Sequence, residues 1–527
     1  MMEAITTDVL IIGGGAAAAR AAVEAASSGV QVDLVDKGKF GESGSSPPSL
    51  SGLSAIFNKE DSYEHFFEDW IHSGGYISDQ NLVWEAITQS RKAVERLEAM
   101  GMEFIRNPDG SRLLYRGAGH RIARGLTAVR FQGAGRLNVV TLLRAEAEKR
   151  GVHIHEGVMV TRLLKKNKQV IGAVGISRNR IFSILSAKAV ILAAGGANRL
   201  YPNVASRIVD PKYRTTGDGF CLAFAAGVPL IDMEFTQFRD SPPGAARFGG
   251  GYLNRLGERI MKKYDPQALE KAPRHKVVEA IYREIKAGRG PIMWEVEGIR
   301  GAEADMAIAQ QYANRRWVEI NIDFQRVIGG ALMNERAETP ILGLFAAGES
   351  SGGVHGGDRM QGNAFLETQV FGANAGRNAV SFAINTERIN IKPAQLNEEQ
   401  AMISRINGNT DPAEVIQNVQ RIMWEQVGVI RDGVNLKEAG TKFEQLRRDT
   451  TPRLSGDDIF AALEAANLLQ TAEMVAKSAL SREETRRTQI RTDYPLTGDS
   501  KWLKHVCITN RAGEIFISIL PIVSRLR

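Results

Sequence analysis

Gly13, Gly15 and Ala18 stand in the spacing Gly-x-Gly-x-x-Ala, and Asp36 follows 21 residues after the second glycine. These residue types at this spacing suit one task, holding a dinucleotide. Gly13 permits a tight turn, Gly15 lets the backbone approach a pyrophosphate, and Ala18 keeps the following helix close to the strand. Ala16 and Ala17 open that helix, whose N-terminus faces the phosphate charge. Asp36 is expected to accept hydrogen bonds from a ribose hydroxyl. The flanking apolar runs 9–12 and 30–35 have the length of buried parallel strands. The fingerprint therefore lies in a strand–helix–strand unit.

Two further strand-like runs end on glycine. AVILAAGG at 189–196 supplies Ala193, Ala194 and Gly195, and GLFAAGE at 343–349 ends on Glu349, an acid placed to hold a ribityl or ribose hydroxyl. A cofactor met by three strand ends spans more of a sheet than NAD does, so the pattern points to FAD. Lys37, Ser45, Ser46, Gly52 and Val160 are assigned to the same site. Asp218 joins them from the helix start within TTGDG (215–219). Asn363, Ala364 and Leu366 come from a helix opening near 363, whose N-terminus would face the flavin pyrimidine end.

The elements that position these residues follow from the rest of the pattern. At 527 residues the chain needs two or three domains. Strands alternate with helices to about residue 230, lose that alternation over 231–326, and resume it over 327–391. Beyond 392 apolar residues recur at helical spacing in 412–426, 436–449 and 455–483. The expected class is α/β: a Rossmann-like FAD-binding domain (1–230 and 327–391) with an inserted α+β capping and substrate domain (231–326). A C-terminal helical domain (392–500) and a tail (501–527) with a short strand and basic end complete it.

Composition narrows the function. Hydrophobic residues at 43% and charged residues at 24% are those of a soluble globular protein. A net charge of +7 from 67 basic and 60 acidic residues is too dilute to argue for nucleic acid. A basic pocket for an anion fits better. Cys221 and Cys507 are the only cysteines, and neither sits in a ligand cluster, so an internal iron–sulfur cluster, a metal site and a disulfide framework are all excluded. The first strand begins within about eight residues, leaving no room for a secretion leader. No apolar run reaches the ~18 residues of a membrane span. A cytoplasmic location is expected.

The segments TTGDGFCLAFAAG, IDMEFTQF, APRHKVVEAIYREIKAGRGP, NERAETPILGLFAAGE, GGVHGGDRMQGNAFLET, MWEQVGV and TDYPLTGDSKWLKH occur in this order along nearly the whole chain. Together they resemble the succinate dehydrogenase, fumarate reductase and L-aspartate oxidase flavoprotein family. The resemblance implies an FAD-dependent oxidoreductase with a mobile cap. It places Arg359 at a substrate-carboxylate arginine, and His355, His120 and Arg124 at family positions. The substrate half departs from the family. Arg239 and Gln325 stand where histidines are usual. When Pro273–Ile281 is matched by length, Glu279 falls at the proton-donating arginine, with Arg274 as a substitute. The candidate catalytic set is therefore Arg359, Arg239, Arg274, Glu279 and His355.

A carboxylate at Glu279 would repel a dicarboxylate, so the expected substrate is a small anion other than plain fumarate or succinate. The loop 45–52 lacks the histidine that tethers flavin in membrane-bound members, which implies non-covalent FAD. Electrons would pass to or from a separate iron–sulfur subunit in a complex, much as adenylylsulfate reductase resembles the family with exchanged active-site chemistry. Two alternatives stay open: a soluble enzyme like L-aspartate oxidase or fumarate reductase, and an electron-relay flavoprotein with a vestigial substrate site.

Overall fold

Val9, Leu10, Ile11 and Ile12 are buried at the end of the strand Met2–Ile12, which lies inside a seven-stranded sheet. The computed structural model describes residues 2–46, 52–129, 139–204, 214–242, 245, 249–296, 315–391, 393–450 and 454–525. Val9 and Ile11 join one apolar core, Leu10 and Ile12 the other, as the two-residue period of a strand requires. Each such buried side chain contributes roughly 1.5–3 kcal/mol, so this short run ties two cores to one sheet.

Met2–Ile12 runs parallel to Val32–Asp36 on one side and to Phe182–Leu192 on the other. Phe182–Leu192 is one continuous strand that begins well before the apolar run at 189. Its first half pairs antiparallel with Gln169–Ser177 and its second half parallel with Leu344–Ala346. With His153–Glu156, which runs parallel to Val32–Asp36, five parallel strands finish at one end of the sheet, the carboxyl end where ligands bind in open α/β folds.

The helix Ala16–Ala26 packs against the long helix Asn363–Ile384. Gly372 and Gly376 lie one turn apart at that contact. A Cβ on either would stand 2.7 and 2.6 Å from the carbonyl oxygens of Ala17 and Ala21, so the two backbones touch. The alanines on one helix and the glycines on the other are the same requirement seen from both sides.

The chain leaves this domain along Thr236–Ser241 and returns along Trp317–Val327, two antiparallel strands extended by Ile292–Glu295 and Tyr252–Leu253. Gln237 pairs with Arg326 and Phe238 with Phe324, so Gln325 is the extra residue of a β-bulge. A bulge breaks the in–out alternation of a strand. The helix Arg274–Lys286 packs on the same unit.

Helices Pro412–Gln426, Gly433–Thr450 and Ile459–Ser481 match the helical spacing read from the sequence. The last stretch differs from the expected short strand and basic tail. Lys504–Arg511 and Glu514–Pro521 form a hairpin that adds to Leu230–Ile231. Among the described residues no helix is long and apolar enough to cross a membrane.

Candidate functional site

The parallel strand ends open onto a cleft of about 400 Å³. Gly13, Gly15, Ala16 and Ala17 form its floor, and Ala193, Ala194 and Gly195 adjoin them. A Cβ at Gly13, where φ is +118°, would stand 2.2 Å from the Ala193 carbonyl oxygen, so no side chain fits between these two turns. The nearest atom to a Cβ on Gly15 is Ser46 Oγ at 3.4 Å, leaving that backbone open to a ligand. Ser45, Ser46, Gly52, Val160 and Ala364 also line the cleft. Both serines are tied to other elements: the Ala16 N–H donates to Ser46 Oγ (3.1 Å), and Asn198 Nδ2 donates to Ser45 Oγ (2.7 Å).

Two acids at this end hold unpartnered buried oxygens. Asp36 Oδ1 accepts from the Gly38 N–H at 3.3 Å, while Oδ2 has no partner. Burial pushes the Asp36 pKa up to about 6. Glu349 Oε1 is likewise unpartnered, and burial pushes that carboxyl up to about 7. Buried acceptors without donors are costly, and the hydroxyls of a ribose and a ribityl chain are suitable donors. The residues present fit FAD.

Lys37 is engaged differently. Its Nζ lies 2.7 Å from both Asp218 Oδ2 and Glu464 Oε1 and donates to Thr216 Oγ1 at 3.0 Å. Burial works against its charge, but the two carboxylates hold it above its ordinary range. Lys37 and Asp218 line the cleft, yet their charges are spent on each other and on a helix of the C-terminal bundle. Three other expected cofactor residues are not in the cleft wall. Ala18 and Leu366 are packed in the core, where a side chain holds a helix in place and touches no ligand. Asn363 is buried between the wall residues Gly362 and Ala364, with both amide atoms unpartnered.

Arg239, Arg274, Arg326 and Arg359 line the other end together with Gln325. Arg359 donates from Nε to Gln237 Oε1 (3.0 Å), from Nη1 to the Met360 carbonyl (2.9 Å) and from Nη2 to Gln325 Oε1 (3.1 Å). Burial, with Arg274 and Arg326 beside it, pulls its pKa well below the arginine range. Arg274 Nη1 donates to the same Gln325 oxygen at 3.2 Å. Arg326 was not legible as a site residue. Its Nη1 lies 3.5 Å from Glu367 Oε2, and its Nη2 has no partner. Strand alternation would turn Arg326 away from Gln325, and the bulge brings both to the cleft. Of the acids here, Asp240 accepts from the Tyr252 hydroxyl, Glu270 pairs with Arg259, and Glu367 meets Arg326 and His355 through Oε2 while its Oε1 has no partner.

Glu279 does not enter the cleft. Its carboxylate pairs with Arg283 at 2.7 Å on the outer face of the helix Arg274–Lys286. Five residues along a helix turn through about 500°, which leaves Glu279 some 140° from Arg274. Val277, Val278 and Ile281 are buried on the inward side, so the helix presents Arg274. His355 also lies behind the wall. Its Nε2 is 2.9 Å from Glu367 Oε2, its ring stacks on Trp70 at 5.8 Å, and burial holds its pKa down to about 4. His120 braces the wall residue Gln361 through that residue's carbonyl at 2.7 Å, and Arg124 is buried against Asp61 (2.7 Å) and Asp69 (2.6 Å). Arg130 and Arg136, which continue a basic run from His120 and Arg124 in the sequence, and the paired prolines 47 and 48 lie outside the described residues. No histidine or cysteine is found in the described cleft wall. No group of three or more metal-ligating side chains exists among the described residues.

Residues 8–365 match the model of an FAD binding domain, and residues 416–525 match that of the fumarate reductase flavoprotein C-terminus. The chain is an FAD-dependent oxidoreductase, with FAD as its cofactor. It is 34% identical to an uncharacterized FAD-dependent oxidoreductase of Methanocaldococcus jannaschii, over 96% of each chain. It is 33% identical to a fumarate reductase (CoM/CoB) subunit of Methanothermobacter marburgensis, over 98% of this chain and 99% of that one. An E. coli quinol fumarate reductase chain shares the fold, with a TM-score of 0.89 at 24% identity over 100% of this chain and 98% of that chain. The protein belongs to the fumarate reductase and succinate dehydrogenase flavoprotein family.

Proposed function

We propose that this chain is the flavoprotein component of a redox complex acting on a small dicarboxylate-class anion. One observation carries the reading: Arg239, Arg274, Arg326 and Arg359 converge on one end of the FAD cleft. Two like charges crowd Arg359, and a bound anion would relieve that repulsion.

FAD, when bound, supplies hydride equivalents. The chain's own residues do the rest. Arg359 and Arg239 hold carboxylate groups and polarise the carbon bond between them. Arg274, presented by the cap helix, holds the proton exchanged with the substrate carbon. The outward position of Glu279 removes the repulsion that would bar a dicarboxylate. Gln325 and Arg239, at positions where the family tends to carry histidine, favour a substituted relative of fumarate over fumarate itself. The absence of histidine and cysteine from the described wall supports FAD held without a covalent tether. Cys221 and Cys507 are both buried and give electrons no route of their own, which supports exchange with a separate iron–sulfur partner.

The test is anaerobic reoxidation of dithionite-reduced protein by a panel of unsaturated dicarboxylates, followed at the flavin absorbance. A substituted member is expected to reoxidise wild type and to fail with Arg359→Ala. Rapid reoxidation by fumarate alone would sink the substituted-substrate reading, and failure of every carboxylate would sink the anion site. Recovery from the native host as a lone, oxidase-active chain would refute the partner.

A further inference from the structure

The two strands that join the cofactor domain to the cap carry one glutamine each beside Arg359, Gln325 in the cleft wall and Gln237 fully buried behind it. Both are hydrogen-bonded to Arg359. These bonds belong to a closed ring. At the start of the cap helix His275 Nδ1 lies 2.9 Å from Asp358 Oδ2. Asp358 Oδ1 accepts from Gln237 Nε2 at 2.5 Å, and Gln237 Oε1 accepts from Arg359 Nε at 3.0 Å. Arg359 Nη2 and Arg274 Nη1 then meet at Gln325 Oε1, which returns the ring to the cap helix next to His275.

The donors and acceptors are assigned by chemistry. Asp358 is buried and hydrogen-bonded as a carboxylate, which only accepts. His275 must therefore carry its proton on Nδ1, and Gln237 must turn its Nε2 toward Asp358, where it also donates to the Arg359 carbonyl at 3.0 Å. That turn is what leaves the Gln237 carbonyl facing Arg359. A buried network of this kind, with every link satisfied, has one low-energy arrangement.

We propose that the His275–Asp358 pair is a positioning device: it links the cap to the cofactor domain and, through the Gln237 amide, aims the Arg359 guanidinium at the anion. This rests on the anion site proposed above and adds residues that touch neither cofactor nor substrate. With the cap helix in place, His275 holds Asp358, Asp358 orients Gln237, and Gln237 orients Arg359. Anion affinity is thereby coupled to the position of the cap.

The experiment titrates malonate, an unreactive dicarboxylate, into the FAD-loaded full chain and reads the flavin difference spectrum. His275→Ala and Asp358→Ala are each expected to weaken malonate binding about tenfold, the loss of one charge-assisted hydrogen bond, with FAD content unchanged. The double variant should lose no more than either single one. His275→Asn places an N–H where the imidazole Nδ1–H was and should keep the affinity, which separates positioning from a general loss of packing. Single variants within twofold of wild type, or losses that add in the double variant, would overturn the proposal while Arg359→Ala still abolishes binding. If Arg359→Ala also binds malonate normally, the anion site itself is wrong.

Discussion

Replacing Asp36 with asparagine should move stability and cofactor affinity in opposite directions. Burial lifts the Asp36 carboxyl from an ordinary 3.8 to about 6. Two units at 1.36 kcal/mol each make the charged form about 3 kcal/mol dearer in the folded, cofactor-free protein than in the unfolded chain. The sign is that of a raised acid. The burden is absent below the unfolded pKa and complete above the folded one, so the FAD-free protein should lose stability as pH rises from about 4 to 6. Asparagine removes the charge and keeps an oxygen to accept from the Gly38 N–H, so Asp36→Asn should stabilise the FAD-free protein at pH 8 by up to about 3 kcal/mol. That is a rise of several degrees in Tm, and the difference should vanish near pH 4.

FAD binding should go the other way. The unpartnered Oδ2 is the acceptor a ribose hydroxyl needs, and hydrogen bonds to charged groups are worth about 1.5–3 kcal/mol. Asp36→Asn should therefore weaken FAD roughly tenfold to a hundredfold, and wild-type affinity should itself fall as pH drops through about 6. Scanning calorimetry of the flavin-free protein at pH 5 and 8, with FAD fluorescence-quenching titrations, measures both. A variant that is less stable at pH 8, or that binds FAD within twofold of wild type, would show that Asp36 is a structural acid and refute the reasoning.

Arg274→Met should lower substrate-dependent flavin reoxidation at least about a hundredfold, consistent with loss of a proton-transfer group, whereas Glu279→Ala should stay within twofold; stopped-flow reoxidation compares them. Lys37→Met leaves the buried Asp218 and Glu464 carboxylates without their shared cation, with Arg199 remaining on Glu464 alone. It should cost about 3–5 kcal/mol by thermal unfolding at pH 8, and part should return at pH 5, because loss of the lysine removes what holds the Asp218 carboxyl down and lets both acids take up protons more readily. Gly372→Ala puts a methyl 2.7 Å from the Ala17 carbonyl and should destabilise by about 1–3 kcal/mol, with an accompanying loss of bound FAD.

The cofactor half was legible because its demands are local. Gly13, Gly15 and Asp36 lie within one strand–helix–strand unit, and the turn, the close approach and the acceptor are each set by a neighbour a few residues away. The substrate half was legible only in part. Matching a segment by length put Glu279 at the site, but a helix presents one face, and Arg274, on the side of the buried Val277, Val278 and Ile281, is the residue that lines the cleft. Arg326 carried no signal, because strand alternation turns it away from Gln325 and only the bulge opposite Gln237 and Phe238 reverses that. Lys37 shows the limit most clearly. Read beside the nucleotide acid it looks like a phosphate ligand, yet its charge is taken by Asp218 and by Glu464, a residue of a helix from another domain. Nothing near Lys37 in the chain announces that partner, since an acid on a distant helix looks like any solvated glutamate until the fold buries it. The pairs that most constrain a buried cation are those made across the whole sequence. A residue whose type suits a ligand is free for that ligand only if the fold has not already supplied the opposite charge.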